Sequence, residues 1–290
     1  MPVSRRTVLR SFAGAVGARA SGSAARPRPG CQANGWDLDP QRFDLLLTAL
    51  KEMKELGFQG FETNIRFFQP QLGRVSEARA EVEATGVEFV GAHTGLPDYD
   101  TLGLEKAVAE VAETAAQAKQ FGARALVVSH KGLSEDGRFS AAALEKKARL
   151  LNLAGRACAD GGLVMAYHNH QPEFRGKGAE QAGLVAHTDP KLVSFMLDIG
   201  HAWLAWPDVI SFFEKNHARC FGLHLRDFHD RESVPLGQGE FPLRALAETV
   251  RKTKWHGWLI DEEERARLKH KPGKGATGPS RKTMKELFGV

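Results

Sequence analysis

Leu163-Val164-Met165-Ala166-Tyr167-His168-Asn169-His170 and Val193-Ser194-Phe195-Met196-Leu197-Asp198-Ile199-Gly200-His201 are two runs of one design. Each is a short apolar stretch that ends in a histidine or an acid, and a segment of helical pattern separates them. Cys220-Phe221-Gly222-Leu223-His224-Leu225-Arg226-Asp227 and Gly257-Trp258-Leu259-Ile260-Asp261-Glu262 repeat it. Short strands rich in β-branched and aromatic residues, separated by helices, are the signature of parallel β/α units.

Outward from these runs the alternation continues. Strands are expected at residues 30–34, 59–63, 87–92, 123–129, 163–167, 193–197, 220–225 and 257–261. Helices are expected at about 40–56, 73–84, 102–121, 141–160, 179–187, 208–217, 243–253 and 280–288. Glycines such as Gly57, Gly86 and Gly122 stand where a helix must stop. Eight alternating pairs define an α/β fold, a single (β/α)8 TIM barrel over residues 30–290. A doubly wound open sheet is the alternative, but no Gly-rich phosphate fingerprint follows strand one. Long tracts follow the strands, at 65–72, 94–101, 131–140, 170–178 and 226–241. In a closed parallel barrel those loops gather at the C-terminal mouth, where such barrels place their chemistry.

A chain of 290 residues, 42% of them hydrophobic, suffices for one large core, and such a barrel takes roughly 250 residues. The net charge is +5, yet Arg5, Arg6, Arg10 and Arg19 lie in the first 20 residues with no acid among them. The remainder is near neutral, which argues against nucleic acid as a partner. A basic run at 265–274, beside the sequence KPGKGATGPS at 271–280, reads as a solvated loop. No stretch reaches the ~20 apolar residues of a membrane span. Cys31, Cys158 and Cys220 have neither zinc-knuckle nor redox spacing and read as buried apolar residues. Ser4-Arg5-Arg6-Thr7-Val8-Leu9-Arg10, a mildly apolar stretch and Ala18-Arg19-Ala20 resemble a twin-arginine export signal in residues 1–25. The expectation is contact with the export machinery and a periplasmic or otherwise exported protein.

The strand ends concentrate polar residues: Glu62 and Asn64; His93; His130 and Lys131; Tyr167 to His170 with Glu173 beyond; Asp198 and His201; His224, Arg226, Asp227 and His229; then Asp261 to Glu264. A mixed imidazole and carboxylate pocket suits one divalent metal ion such as Mn, Zn, Co or Mg. No cysteine falls at these ends except Cys31, so a thiolate site is excluded.

The runs quoted above, with Glu173-Phe174 and Gly237-Gln238-Gly239-Glu240, make residues 30–264 similar to the sugar phosphate isomerase/epimerase family of xylose isomerase-like TIM barrels. The resemblance implies a metal held by Asp198, His224 and Glu262 plus a strand-five ligand. Many relatives have a glutamate where this chain has His168, so either Glu173 bends back to the ion or His168 binds it. Glu262 at strand eight adjoins Asp261 and Glu263, and it faces inward only if they face away. Glu262 is the expected base, with Glu173 or His170 as its counterpart. His93, His168, His201, Lys131 and Arg226 are expected against the substrate, with Trp36 among the aromatics available for stacking on a sugar. Arg226 could instead pair with Asp227 or Asp230.

The activity expected is metal-assisted proton abstraction next to the carbonyl of an unphosphorylated (keto-)sugar, through an enediolate, giving isomerisation or epimerisation. A lyase, dehydratase or hydratase on a 3-keto-sugar or inositol-like polyol would share the site. A sugar-binding barrel without turnover, or a DNA-repair endonuclease with several metals and a basic groove, are further alternatives.

Overall fold

The computed structural model describes residues 26–262 and 273–290. The segment 1–25, where an export leader is expected, Glu263, Glu264 and most of the basic run at 265–274 lie outside the described residues. Eight parallel strands close into a barrel: β1 (Arg28–Gln32), β2 (Gly60–Asn64), β3 (Glu88–Gly95), β4 (Ala125–Ser129), β5 (Val164–His168), β6 (Val193–Asp198), β7 (Cys220–Leu225) and, after a short ribbon, β10 (Trp258–Asp261), which pairs with both β7 and β1. The open-sheet alternative is thereby excluded. Around the barrel run α1 (Phe43–Leu56), α2 (Val75–Ala84), α3 (Tyr99–Leu102), α4 (Leu104–Gln120), α5 (Ala141–Asp160), α6 (Arg175–His187), α7 (Ile199–Ala205), α8 (Val209–Asn216), α9 (Leu243–Thr253) and α10 (Lys274–Phe288).

The strand period of two divides the apolar residues into two cores. Val90, Val127, Ala166, Met196, Trp258 and Ile260 fill the barrel interior. Their neighbours Leu126, Val128, Met165, Tyr167, Leu197, Leu223 and Leu259 point outward into the layer between strands and helices. The interior is so full at its base that a Cβ on Gly60 would lie 2.4 Å from Val90 and 2.7 Å from Trp258. Cys31, Cys158 and Cys220 are buried and unpaired.

Several elements depart from the sequence expectation. β1 starts at Arg28 and ends at Gln32, and Asn34 sits in a 3-10 turn that follows. α10 begins at Lys274, so Gly275, Gly278 and Pro279 are helical rather than part of a loop. Docking outweighs propensity here, because Ala276, Thr277 and Ser280 are buried and Gly273 N–H donates to Gly35 O at 2.6 Å. An antiparallel ribbon, β8 (Asp227–His229) with β9 (Glu232–Val234), follows β7. Its turn holds Asp230 and Arg231 at φ 49° and 65° without any glycine, so the sequence carries no hairpin signal there.

Candidate active site

The same alternation builds the mouth. On β5, β6, β7 and β10 the inward layer of Ala166, Met196, Gly222 and Ile260 is followed two residues later by His168, Asp198, His224 and Glu262. Glu262 lies just past β10, and its N–H donates to Leu225 O at 3.1 Å, which extends the ladder and keeps it facing inward. These four side chains are buried, and one ligand atom from each lies within 4.8 Å of all the others. Of the two strand-five candidates, His168 joins this cluster.

The cluster fits a divalent cation on two physical grounds. The first is charge: among the described residues, the buried carboxylates Glu62, Asp198 and Glu262 pair with Arg226 and His224, so an excess of one negative charge remains even with His224 protonated. The second is unmet polarity. His168 Nδ1 is buried with no hydrogen-bond partner among the described residues, and His224 Nδ1 and Glu262 Oε2 stand 2.5 Å apart beside it, so three donor atoms converge on one buried point. His168, His224, Asp198 and Glu262 would hold the ion.

Protonation follows the same charges. Burial and the neighbouring His224 push His168 well below the ordinary histidine range, so it is neutral, the form a ligand requires. Burial opposes charge on His224, but the Glu62 and Glu262 carboxylates raise it well above that range. Burial likewise works against charge on Glu262, yet Arg226 and His224 hold its carboxyl well below the ordinary range.

Both oxygens of Glu262, the residue expected to act as base, are engaged by protein groups. Arg226 Nη2 stands 2.7 Å from its Oε1, and the remaining oxygen faces His224. Arg226 does not pair with Asp227 or Asp230 by these contacts: its Nε donates to Asp198 Oδ2 at 2.7 Å. Glu173 is turned away from the cluster. Its Oε1 accepts from Tyr167 Oη at 2.7 Å, its Oε2 from His170 N–H at 3.1 Å, and Lys147 Nζ is 3.8 Å off. Tyr167 alternates outward with His168 inward, and Glu173 follows Tyr167 into the space under α5 and α6.

A cavity of about 290 Å³ opens above the cluster, lined by Gln32, Asn34, Asn64, Arg66, His93, His168, His170, His201, Arg226 and Glu262. His93, His168, His170, His201 and Arg226, expected against the substrate, thus all line this one cavity. Lys131 does not: it is exposed, and its carbonyl accepts from Lys147 Nζ at 3.1 Å. Nor does Trp36, whose indole N–H donates to Glu52 Oε2 at 2.8 Å in packing against α1. The histidines form a continuous array, with His168 centred 5.1 Å from His93, 4.9 Å from His170 and 4.7 Å from His224. His201 is kept below the ordinary histidine range by burial, and its Nδ1 has no hydrogen-bond partner among the described residues.

Two roles were missed. Glu62, inward by the same two-residue step from Gly60, bonds His224 Nε2 at 3.0 Å. Asn169 bonds the Asp198 backbone in both directions. The alternation could have found the first. The second depends on loop geometry that no spacing reveals.

The chain matches the family of xylose isomerase-like TIM barrels over residues 50–287 and belongs to it. It is 25% identical to the inosose dehydratase of Mesomycoplasma hyopneumoniae over 258 residues, which cover 77% of this chain and 83% of that protein. It is 27% identical to the inosose dehydratase of Bacillus licheniformis over 246 residues, covering 74% and 79%. In fold it is similar to the IOLI protein, crystallised with a zinc atom, with a TM-score of 0.75 at 13% identity over 90% of this chain and 98% of that one.

Proposed function

We propose that this protein is a metal-dependent dehydratase acting on a cyclic keto-polyol of the inosose kind. The observation that carries the reading is the buried quartet of His168, Asp198, His224 and Glu262 at the floor of a cavity rimmed by histidines. The relatives that are inosose dehydratases support elimination of water over the net isomerisation expected from the sequence.

A divalent ion held by the quartet supplies, when bound, Lewis-acid stabilisation of negative charge on substrate oxygens. The chain's own residues do the rest. His201, which lines the cavity and is kept below the ordinary histidine range by burial, takes the proton from the carbon beside the carbonyl. His170, whose ring centre is 5.9 Å from that of His201, gives a proton to the departing β-hydroxyl. One C–H and one C–O bond break, a C=C bond conjugated to the carbonyl forms, and water leaves. Arg226 fixes Asp198 and Glu262 in place rather than binding substrate first.

The test is turnover of keto-inositols and 3-keto-sugars in heavy water, with products read by NMR and mass spectrometry, before and after chelation. Loss of the elements of water from the substrate, with dependence on added Zn²⁺ or Mn²⁺, supports the reading. Retained mass with deuterium at a stereocentre would instead identify an epimerase or isomerase, which shares the first proton transfer. Full turnover in the chelated protein would overturn the metal dependence. The leader at 1–25 adds the proposal that the enzyme works outside the cytoplasm, checked by fractionating cells that express the full chain.

A further inference from the structure

Glu62 is fully buried in the middle of β2, across the barrel from the strands that supply the quartet. Its Oε2 is 3.0 Å from His224 Nε2. Its Oε1 accepts from Gln32 Nε2 at 2.9 Å and lies 2.9 Å from His93 Nδ1. His93 Nε2 continues the chain to Ser129 Oγ at 3.2 Å. A carboxylate in such a place costs several kcal/mol to desolvate unless its neighbours answer it, and here every neighbour does. Room for it is built into the next strand: a Cβ on Gly91 would lie 3.2 Å from Glu62 Cγ and Oε2, and 2.8 Å from Val127.

We propose that Glu62 is the positioning residue for His224, holding the imidazole by Nε2 so that Nδ1 is turned into the quartet, and that it thereby sets the affinity of the site for a divalent cation. This inference rests on the metal reading given above. The argument is geometric. The two ring nitrogens of an imidazole point in fixed, divergent directions, so fixing one aims the other. In the neutral tautomer, with Nε2 donating its hydrogen to Glu62, Nδ1 presents a lone pair, and Nδ1 is the atom 2.5 Å from Glu262 Oε2. Glu62 lies outside the quartet, behind His224, and so acts through that ring rather than beside it. Gln32 and His93 in turn hold Oε1, which leaves Oε2 to the ring. Removing such an outer carboxylate typically weakens metal binding about 10–100-fold.

The experiment uses the full chain, stripped with chelator and desalted, and titrated with Zn²⁺ by calorimetry and with Co²⁺ by absorption. Glu62→Gln is expected to bind one Zn²⁺ about 10–100-fold more weakly than the unsubstituted protein and to show an altered Co²⁺ d–d spectrum. Gly91→Ala, which crowds the Glu62 carboxylate while leaving it charged, is expected to shift the affinity in the same direction and serves if Glu62→Gln does not fold. Glu180→Gln breaks the buried Lys147–Glu180 pair outside the quartet. It is expected to lower the melting temperature and leave Zn²⁺ affinity and the Co²⁺ spectrum unchanged. Undiminished affinity with an unchanged spectrum in Glu62→Gln or, where that variant does not fold, in Gly91→Ala would overturn the inference and leave the quartet standing. Absence of stoichiometric binding by the unsubstituted protein would overturn the metal reading and this inference together.

Discussion

Asn169 grips the backbone of Asp198 from both sides: its Oδ1 accepts from Asp198 N–H at 2.9 Å and its Nδ2 donates to Asp198 O at 3.0 Å. The ladder between β5 and β6 ends at the pair His168–Met196, so this side chain takes over where strand pairing stops. It fixes the loop bearing His168 and His170 to the strand end bearing Asp198. Asn169→Ala leaves two buried backbone groups without partners, and each such group costs about 1–3 kcal/mol. A loss of about 2–4 kcal/mol in urea denaturation is therefore expected, together with reduced activity. Asn169→Asp keeps the acceptor but turns a buried anionic oxygen toward the Asp198 carbonyl, so its loss of stability should be at least as large. An unchanged denaturation midpoint in Asn169→Ala would contradict this account.

His168 and Glu173 make opposite predictions. His168→Ala removes a quartet member and should lose most divalent-metal binding, whereas Glu173→Gln should retain one ion per chain by elemental analysis. Glu173→Gln also carries a pH signature. Burial raises the Glu173 carboxyl above the ordinary range, so the folded protein keeps that proton to higher pH than the unfolded chain does. Stability falls as pH rises from the ordinary carboxylate range through the raised folded value, then levels off. The glutamine variant should lack this decline, as followed by melting temperature across pH.

The architecture was legible because period-two strands and glycine-stopped helices are local signals, and closure follows from their number. The inward set was legible for the same reason: one step of two residues from Ala166, Met196, Gly222 and Ile260 reaches His168, Asp198, His224 and Glu262. Choosing between His168 and Glu173 required knowing that Tyr167 points outward and draws Glu173 after it. That is a tertiary hydrogen bond with no trace in spacing. Lys131 and Trp36 do not line the cavity, for a related reason: loop residues can turn either way, and Trp36 turns to Glu52. α10 was shortened in the reading because Gly and Pro depress helix propensity, while the burial of Ala276 and Ser280 that overrides it is a long-range fact.

His170 and His201 are assigned the two proton transfers, so their substitution should spare the metal and slow the chemistry. His201→Asn and His170→Asn are each expected to lower kcat by about 10²–10⁴, the usual contribution of a general acid or base. Zn²⁺ content should stay at the level of the unsubstituted protein. Solvent-deuterium exchange into the substrate separates the roles: it should vanish in His201→Asn and persist in His170→Asn, where proton abstraction survives and loss of hydroxide is slow. Exchange surviving in His201→Asn would move the base elsewhere in the cavity.

Asp227 organises the loop after Arg226, and its loss should act on the site indirectly. Its Oδ1 accepts from Phe228 N–H at 2.9 Å and Phe241 N–H at 3.0 Å, and its Oδ2 from Gly237 N–H at 2.8 Å and Gly239 N–H at 3.0 Å. The loop closes so tightly that a Cβ on Gly239 would stand 2.2 Å from Oδ1. Asn in place of Asp turns one acceptor oxygen into a donor amide, so two of the four N–H groups lose their partner. Hydrogen bonds to a charged group contribute about 1.5–3 kcal/mol each, which puts the expected loss at about 3 kcal/mol or more. At about 2–4 °C per kcal/mol for a chain near this size, Asp227→Asn should melt some 6–12 °C lower. Faster amide exchange should be confined to the segment from 227 to 241. Arg226 sits at the root of that segment and braces Asp198 and Glu262, so weaker Zn²⁺ binding should accompany the loosening. If instead the melting temperature falls while loop exchange and Zn²⁺ affinity hold, Asp227 supports the fold alone and the link from loop to site is wrong.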